Sequence, residues 1–142
     1  MSRPVNPVGR GMGFTLIELL VAMAILAIVM AIAIPSYTTY VTRSNRTEGK
    51  AILMNTAQAL ERCFTRYNAY DSDECNVSFP VDSENDHYQM AAGNQTIDAA
   101  TYTLTAVPQG SQATNDTECA NFTLTHNGTR GVSGSGDVED CW

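Results

Sequence analysis

The strongest pattern in the chain starts at Phe14, where FTLIELLVAMAILAIVMAIAI runs for 21 residues to Ile34 with a single charge, Glu18. At ~1.5 Å per residue a helix of that length reaches roughly 30 Å, the thickness of a bilayer's hydrocarbon core. The pattern therefore predicts a membrane-spanning helix. Pro35 follows directly, removes a backbone donor and crowds the preceding turn, so a kink is expected there. Beyond it lie Tyr37, Tyr40 and Val41, and then Leu53, Ala57, Leu60, Phe64 and Tyr67 at intervals of four and three, the stripe of an amphipathic helix. Interleaved Arg43, Arg46, Glu48, Lys50, Glu61, Arg62 and Arg66 predict a polar opposite face, where Glu48, Glu61, Arg62 and Arg66 offer i,i+4 pairs.

The helical period ends at Tyr67, and the turn-rich, acidic stretch Asn68 to Cys75 reads as a connecting loop. Alternation returns at Thr101–Val107, where Tyr102, Leu104 and Ala106 interleave with threonines until Pro108, and again at Asn121–His126. Asn127-Gly128 is the preferred two-residue turn into Thr129–Val132. His87–Met90 supplies a further strand, and Ser133–Gly136 reads as flexible. The expected fold class is α+β: one long N-terminal helix, half membrane-spanning and half amphipathic, packed on a three- to four-stranded antiparallel sheet. Tyr102, Leu104, Phe122 and Leu124 are expected to cover the helix stripe from Leu53 to Tyr67.

Charge changes the picture by its placement. The stretch before Gly13 carries Arg3 and Arg10 and no acid, which keeps that end cytoplasmic and sends the rest outward. From Tyr67 onward twelve Asp and Glu face Arg130 alone, so the head should repel polyanions and nucleic acid is not an expected partner. Cys63, Cys75, Cys119 and Cys141 fall on the external side, where disulfides persist. Four cysteines allow three pairings and the sequence does not choose among them; without CxxC spacing they do not suggest zinc. Asp71, Asp73 and Glu74, the run Asp82–Asp86 and the run Asp137–Asp140 read as solvated loops, since no EF-hand spacing accompanies them. His87 and His126 have no catalytic company, and no nucleophile elbow, Walker loop or HExxH is present, so no enzyme, cofactor or metal is expected.

Gly13-Phe14-Thr15-Leu16-Ile17-Glu18, after a basic leader and before an unbroken apolar helix and Pro35-Ser36-Tyr37, resembles the processing site of type IV prepilins. The stretch Arg43–Gly49 and the final Cys141-Trp142 are similar to minor pilins of the PilE type. The resemblance implies that prepilin peptidase cuts after Gly13 and that the new amino terminus at Phe14 is methylated. It also implies that Glu18 pairs with the Phe14 amine of a neighbouring subunit, a use that offsets the roughly 2.5–3.5 kcal/mol cost of a carboxylate at membrane depth. Cys63–Cys75 with Cys119–Cys141 is the pairing that closes two local loops, and the second resembles the C-terminal disulfide loop of pilins. The acidic run Asp137–Asp140 lies where related pseudopilins hold calcium in a C-terminal loop.

The expected organisation is a leader over 1–13, a transmembrane and filament-core helix over 14–35, and a periplasmic head over 36–142. Within the head an amphipathic helix spans 36–67, a loop 68–100, and the sheet with its disulfide loop 101–142. As the resemblance implies, the chain is a minor structural subunit of a type IV pilus that serves adhesion or twitching motility. Its partners are other pilin subunits and minor pilins, prepilin peptidase, the inner-membrane assembly platform and inner-membrane lipid. The exposed charges of the amphipathic helix are then either solvated or matched between subunits. A type II secretion pseudopilin shares the N-terminal motif, but four cysteines and the final Cys141-Trp142 weigh against it. A DNA-uptake competence pilin requires a basic stripe, for which Arg62, Arg66 and Arg130 are the candidates.

Overall fold

A computed structural model describes residues 13–142; the positions before Gly13, where a leader with Arg3 and Arg10 is expected, lie outside the described residues. Helix α1 runs Leu16–Tyr67, 52 residues, and continues through Pro35. Thr15 caps it, its Oγ1 accepting from the Glu18 amide at 3.3 Å, as the order Thr-x-x-Glu favours at a helix start. The chain divides into two compact units, one ending at Tyr37 and the other running from Thr38 to Trp142.

The second unit holds an antiparallel sheet. Its strands are β1 (Val81–Asp82), β2 (Tyr88–Met90), β3 (Thr96–Ile97), β4 (Tyr102–Pro108), β5 (Phe122–Thr125) and β6 (Arg130–Val132). The order is β1-β2-β4-β5-β6, with β3 paired to the start of β4. Two short helices, α2 (Gly110–Asn115) and α3 (Val138–Cys141), flank β5 and β6. The sheet thus has six strands where three to four were expected. The additions β1 and β3 are two residues each, too short to show an alternation, and they lie in the stretch read as loop.

Alternation in β4 is complete, Tyr102, Leu104, Ala106 and Pro108 buried and the residues between them half-buried. Phe122 and Leu124 continue that inner face on β5, in register with Ala106 and Leu104. Together with Leu53, Ala57 and Leu60 of α1 and Tyr88 and Met90 of β2 they form one core. Each fully buried Leu or Phe contributes roughly 1.5–3 kcal/mol. The stripe on α1 begins earlier and ends sooner than its apolar residues suggest. Thr42, Arg46 and Gly49 are buried, whereas Tyr37 and Tyr40 are exposed and Tyr67, the last residue of α1, is 40% exposed. Gly49 is required by contact: a Cβ there would stand 2.8 Å from the Tyr88 ring.

Two local expectations are corrected. The β5–β6 hairpin pairs Leu124 with Arg130, and the Thr125 amide donates to the Thr129 carbonyl, so the loop is His126-Asn127-Gly128, three residues and not two. Gly128 takes φ +81°, the left-handed residue that a three-residue hairpin needs. Ser133–Gly136, expected to be flexible, is instead hydrogen-bonded along its length, its four amides donating to the carbonyls of Asn121, Cys119, Thr117 and Glu118.

Candidate functional site

From Phe14 to Ile34 every large apolar side chain is exposed, Phe14 at 87% and Ile32 at 70%. The stretch is long and apolar enough to cross a membrane. An apolar surface of this extent is a contact surface for lipid or for other chains. Gly13 and Phe14 are exposed and precede the first helical turn, and a side chain at Gly13 would meet nothing within 4 Å. Glu18 is exposed in that first turn, where the helix dipole favours a negative charge.

The head shows the opposite chemistry, with its polar groups closed on one another. Arg46, 6% exposed, binds Asp116 through Nε at 3.0 Å and Nη2 at 2.8 Å, and reaches Glu118 at 2.8 Å. Asp116, 1% exposed, also accepts from the Tyr88 hydroxyl at 3.1 Å, Gln112 Nε2 at 3.1 Å and the Cys119 amide at 3.2 Å. Gln112 continues the network to the Thr42 carbonyl and accepts from Asn45 Nδ2. Hydrogen bonding to Asp116 holds the Arg46 guanidinium above its ordinary pKa against the opposing effect of burial, and burial pushes the Tyr88 phenol up. Both Asp116 oxygens and the Nε and Nη2 of Arg46 have partners, and no buried side-chain nitrogen or oxygen among the described residues is left without one, as a buried ion pair requires.

Two residues further along α1, Glu48 accepts from Ser83 Oγ and Asn85 Nδ2, each at 2.8 Å, and from the Asn85 amide, and lies 3.1 Å from His87 Nδ1. Burial pushes its carboxyl up, but the hydrogen bonds from Asn85, Ser83 and His87 outweigh that and hold it below the usual value. Glu61 accepts from the Tyr70 and Tyr102 hydroxyls at 3.1 Å. The expected polar outer face is thereby corrected: Arg46, Glu48 and Glu61 bind the head itself, and the i,i+4 pairs do not form among the described residues. Arg43, Arg62 and Arg66 remain exposed and without an ion pair among those residues.

Cys63 is bonded to Cys75, tying the end of α1 to the following loop, and Cys119 to Cys141, tying α3 to the approach of β5. Trp142 completes that latch. Its indole donates to the Gly131 carbonyl at 3.0 Å, crosses the Phe122 ring edge to face, and lies under the Arg130 guanidinium at 5.1 Å. Lys50 Nζ donates to the Trp142 carbonyl at 3.2 Å. Arg130 consequently stands at the Lys50 level of α1, and Arg62 is twelve residues further on, ~18 Å along the helix. The three arginines proposed for a basic stripe do not form one cluster. Thr42, Asn45, Gln112 and Asp116 were not legible as site residues; the signal was Thr42, Arg46, Gly49, Leu53 at intervals of four, three and four.

An uncovered apolar half-helix whose continuation packs on an antiparallel sheet closed by a disulfide-pinned tail defines a class, the filament-forming pilins. Known proteins make the assignment definite. A family model described as "Prokaryotic N-terminal methylation motif" matches residues 13–34. Another, described as "Type IV minor pilin ComP, DNA uptake sequence receptor", matches residues 35–123. Fimbrial protein EcpC of Eikenella corrodens is 32% identical over 104 residues, 70% of this chain and 68% of that protein. The type IV major pilin protein PilA of Myxococcus xanthus is 34% identical over 88 residues, 61% of this chain but 39% of that protein, so the chain spans well under half of that relative. The crystal structure of the non-core minor pilin PilV of Neisseria meningitidis aligns with TM-score 0.51 and 23% identity over 69% of this chain and 92% of that one, a likeness of fold. The chain belongs to the type IV pilin family, in the minor-pilin group that the ComP model describes, whose members are structural subunits and not enzymes.

Proposed function

We propose that this chain is a minor structural subunit of a type IV pilus, cut after Gly13 by prepilin peptidase and methylated at Phe14. It waits in the inner membrane, anchored by residues 14–35 with its head in the periplasm, and then enters or primes the filament for adhesion or twitching motility. The observation that carries this reading is the uncovered apolar surface from Phe14 to Ile34, which demands first lipid and then other helices. Glu18, facing outward near the amino terminus, is the group that sets register by pairing with the amine of a neighbouring subunit's Phe14. The test is co-purification with sheared filaments, with mass spectrometry of the amino terminus. N-methylated Phe14 in the filament fraction is expected; a chain that begins at Met1 and stays in the membrane fraction would sink the proposal.

A second reading, a pilin for DNA uptake, is favoured by the description of the matching family. Charge opposes it, because Arg62 and Arg66 are separated from Arg130 and fourteen acids share the head with them. Retention of the purified chain on DNA at low salt, with steep release as salt rises, would favour this second reading.

A further inference from the structure

Arg62, Arg66 and Tyr67, on the last turns of α1, face the loop carrying Glu74, Asn76 and Val77 across a groove of about 670 Å³ beside the Cys63–Cys75 bridge. That volume falls within the ~300–1,000 Å³ of small-molecule sites. Arg62 and Arg66 stand one turn apart on α1, exposed and without an ion pair among the described residues. Most charges of the head are acidic, so two open guanidinium groups on one wall are a local reversal of sign and a place for an anion. The Cys63–Cys75 bond ties the helix wall to the loop wall, which lowers the cost of ordering them around a ligand.

The walls narrow the chemistry of the occupant. The arginine pair matches one carboxylate or phosphate. Tyr67, 40% exposed, sets an aromatic ring beside that pair and suits a ligand ring with apolar faces and a polar rim. On the loop wall the Glu74 carboxylate only accepts hydrogen bonds and Asn76 both accepts and donates, so the far end of the ligand must bring hydroxyl donors and no second negative charge. An inorganic anion would use the arginines and leave Tyr67 and Glu74 idle. Duplex DNA, with one charge per ~1.7 Å, would press further phosphates against Glu74. We propose that the groove binds an acidic sugar, a pyranose with a single carboxylate, its carboxylate on Arg62 and Arg66, its ring on Tyr67 and its hydroxyls toward Glu74 and Asn76. The groove lies wholly in the unit from Thr38 onward, so the proposal goes beyond the filament reading and does not depend on it.

The test is an amide NMR titration of the full chain in detergent micelles. The probes are methyl β-D-glucuronide and, as its match without the charge, methyl β-D-glucoside. The glucuronide is expected to shift the amides around Arg62, Arg66, Tyr67 and Asn76 and to bind at least ~10-fold more tightly than the glucoside, the difference made by charge-assisted hydrogen bonds. Arg62→Gln and Arg66→Gln should each weaken the glucuronide about 10-fold and leave the response to the glucoside unchanged. Tyr67→Ala should weaken both sugars. These side chains are exposed and hold no ion pair, so amides outside the groove should keep their positions in all three variants, which separates lost binding from lost folding. Equal affinity for the two sugars, shifts confined to another surface, or no response to the glucuronide would overturn the proposal. So would a short DNA duplex that shifts these amides where the glucuronide does not, which would assign the groove to nucleic acid. Filament entry is untouched by any of these outcomes.

Discussion

From Phe14 to Ile34 every large apolar side chain is exposed, whereas in the unit from Thr38 onward charges such as Arg46, Asp116 and Glu48 are partnered within the fold. Phe14 is 87% exposed and Arg46 is 6% exposed, the reverse of what their chemistry prefers in water. The inversion says where each region completes itself. Residues 14–37 complete themselves against lipid or other chains, and the head completes itself against its own sheet. Under the proposed function the subunit exists first in a membrane and then in a filament, and the surface that changes environment holds none of the groups that fix the head.

The sharpest way to break the contrast is to give the head an unmet charge. Asp116→Ala leaves Arg46 buried without its bidentate acceptor and strips partners from Tyr88, Gln112 and the Cys119 amide. The expected loss is ~3–5 kcal/mol in urea unfolding of the full chain in detergent. Arg46→Met with Asp116→Leu should recover most of it, since apolar replacements leave no stranded charge. A full loss in the double variant would mean that the network carries stability of its own.

Disulfide removal comes next. Each bridge is expected to contribute roughly 2–4 kcal/mol by restricting the unfolded chain. The closed segments span 12 and 22 residues, so paired Cys→Ser changes at Cys119 and Cys141 should cost ~0.5 kcal/mol more than those at Cys63 and Cys75. Equal or reversed costs, measured by the same unfolding assay, would show that the Trp142 latch holds the tail without its bridge.

How much of this was legible depends on whether the signal is local. The apolar run and the alternation of β4 and β5 are properties of neighbouring residues, and a reader of the sequence meets them directly. Arg46 and Glu48 were misplaced for the opposite reason: their partners Asp116 and Ser83 stand 70 and 35 positions away. Charge type suggested an outer face, while spacing from Thr42 through Arg46 and Gly49 to Leu53 marked the inner one. Gly49 itself was silent, because its role is the space it leaves for Tyr88. The two-residue strands were unreadable for want of length.

A smaller effect concerns acid. The Glu48 carboxyl titrates below its ordinary 4.5 in the folded head, so the folded form binds fewer protons there than the unfolded form does. Its stabilisation is fully present above that unfolded value and is lost as pH falls through the folded one. The thermal midpoint should therefore drop more steeply below about pH 4.5 in the unaltered chain than in Glu48→Gln. Parallel profiles would show that the contacts to Ser83, Asn85 and His87 do not depend on the charge.

The smallest effect on the head is expected from the residue proposed to matter most for assembly. Glu18 lies in the first turn of α1, in the unit that ends at Tyr37, and none of the head's hydrogen-bond networks includes it. Glu18→Ala should leave the unfolding midpoint of the head unchanged and make membrane insertion equal or easier, by up to ~3 kcal/mol. Filament entry should nevertheless fail, because a subunit sliding out of lipid among apolar neighbours has many near-equivalent axial positions and one charge pair to select among them. The comparison is then direct, with a normal midpoint and an empty filament fraction in the same variant. Normal filament entry by Glu18→Ala with the Phe14 amine intact would show that packing of the apolar surface alone sets the register, and the division of labour between the two regions would have to be redrawn.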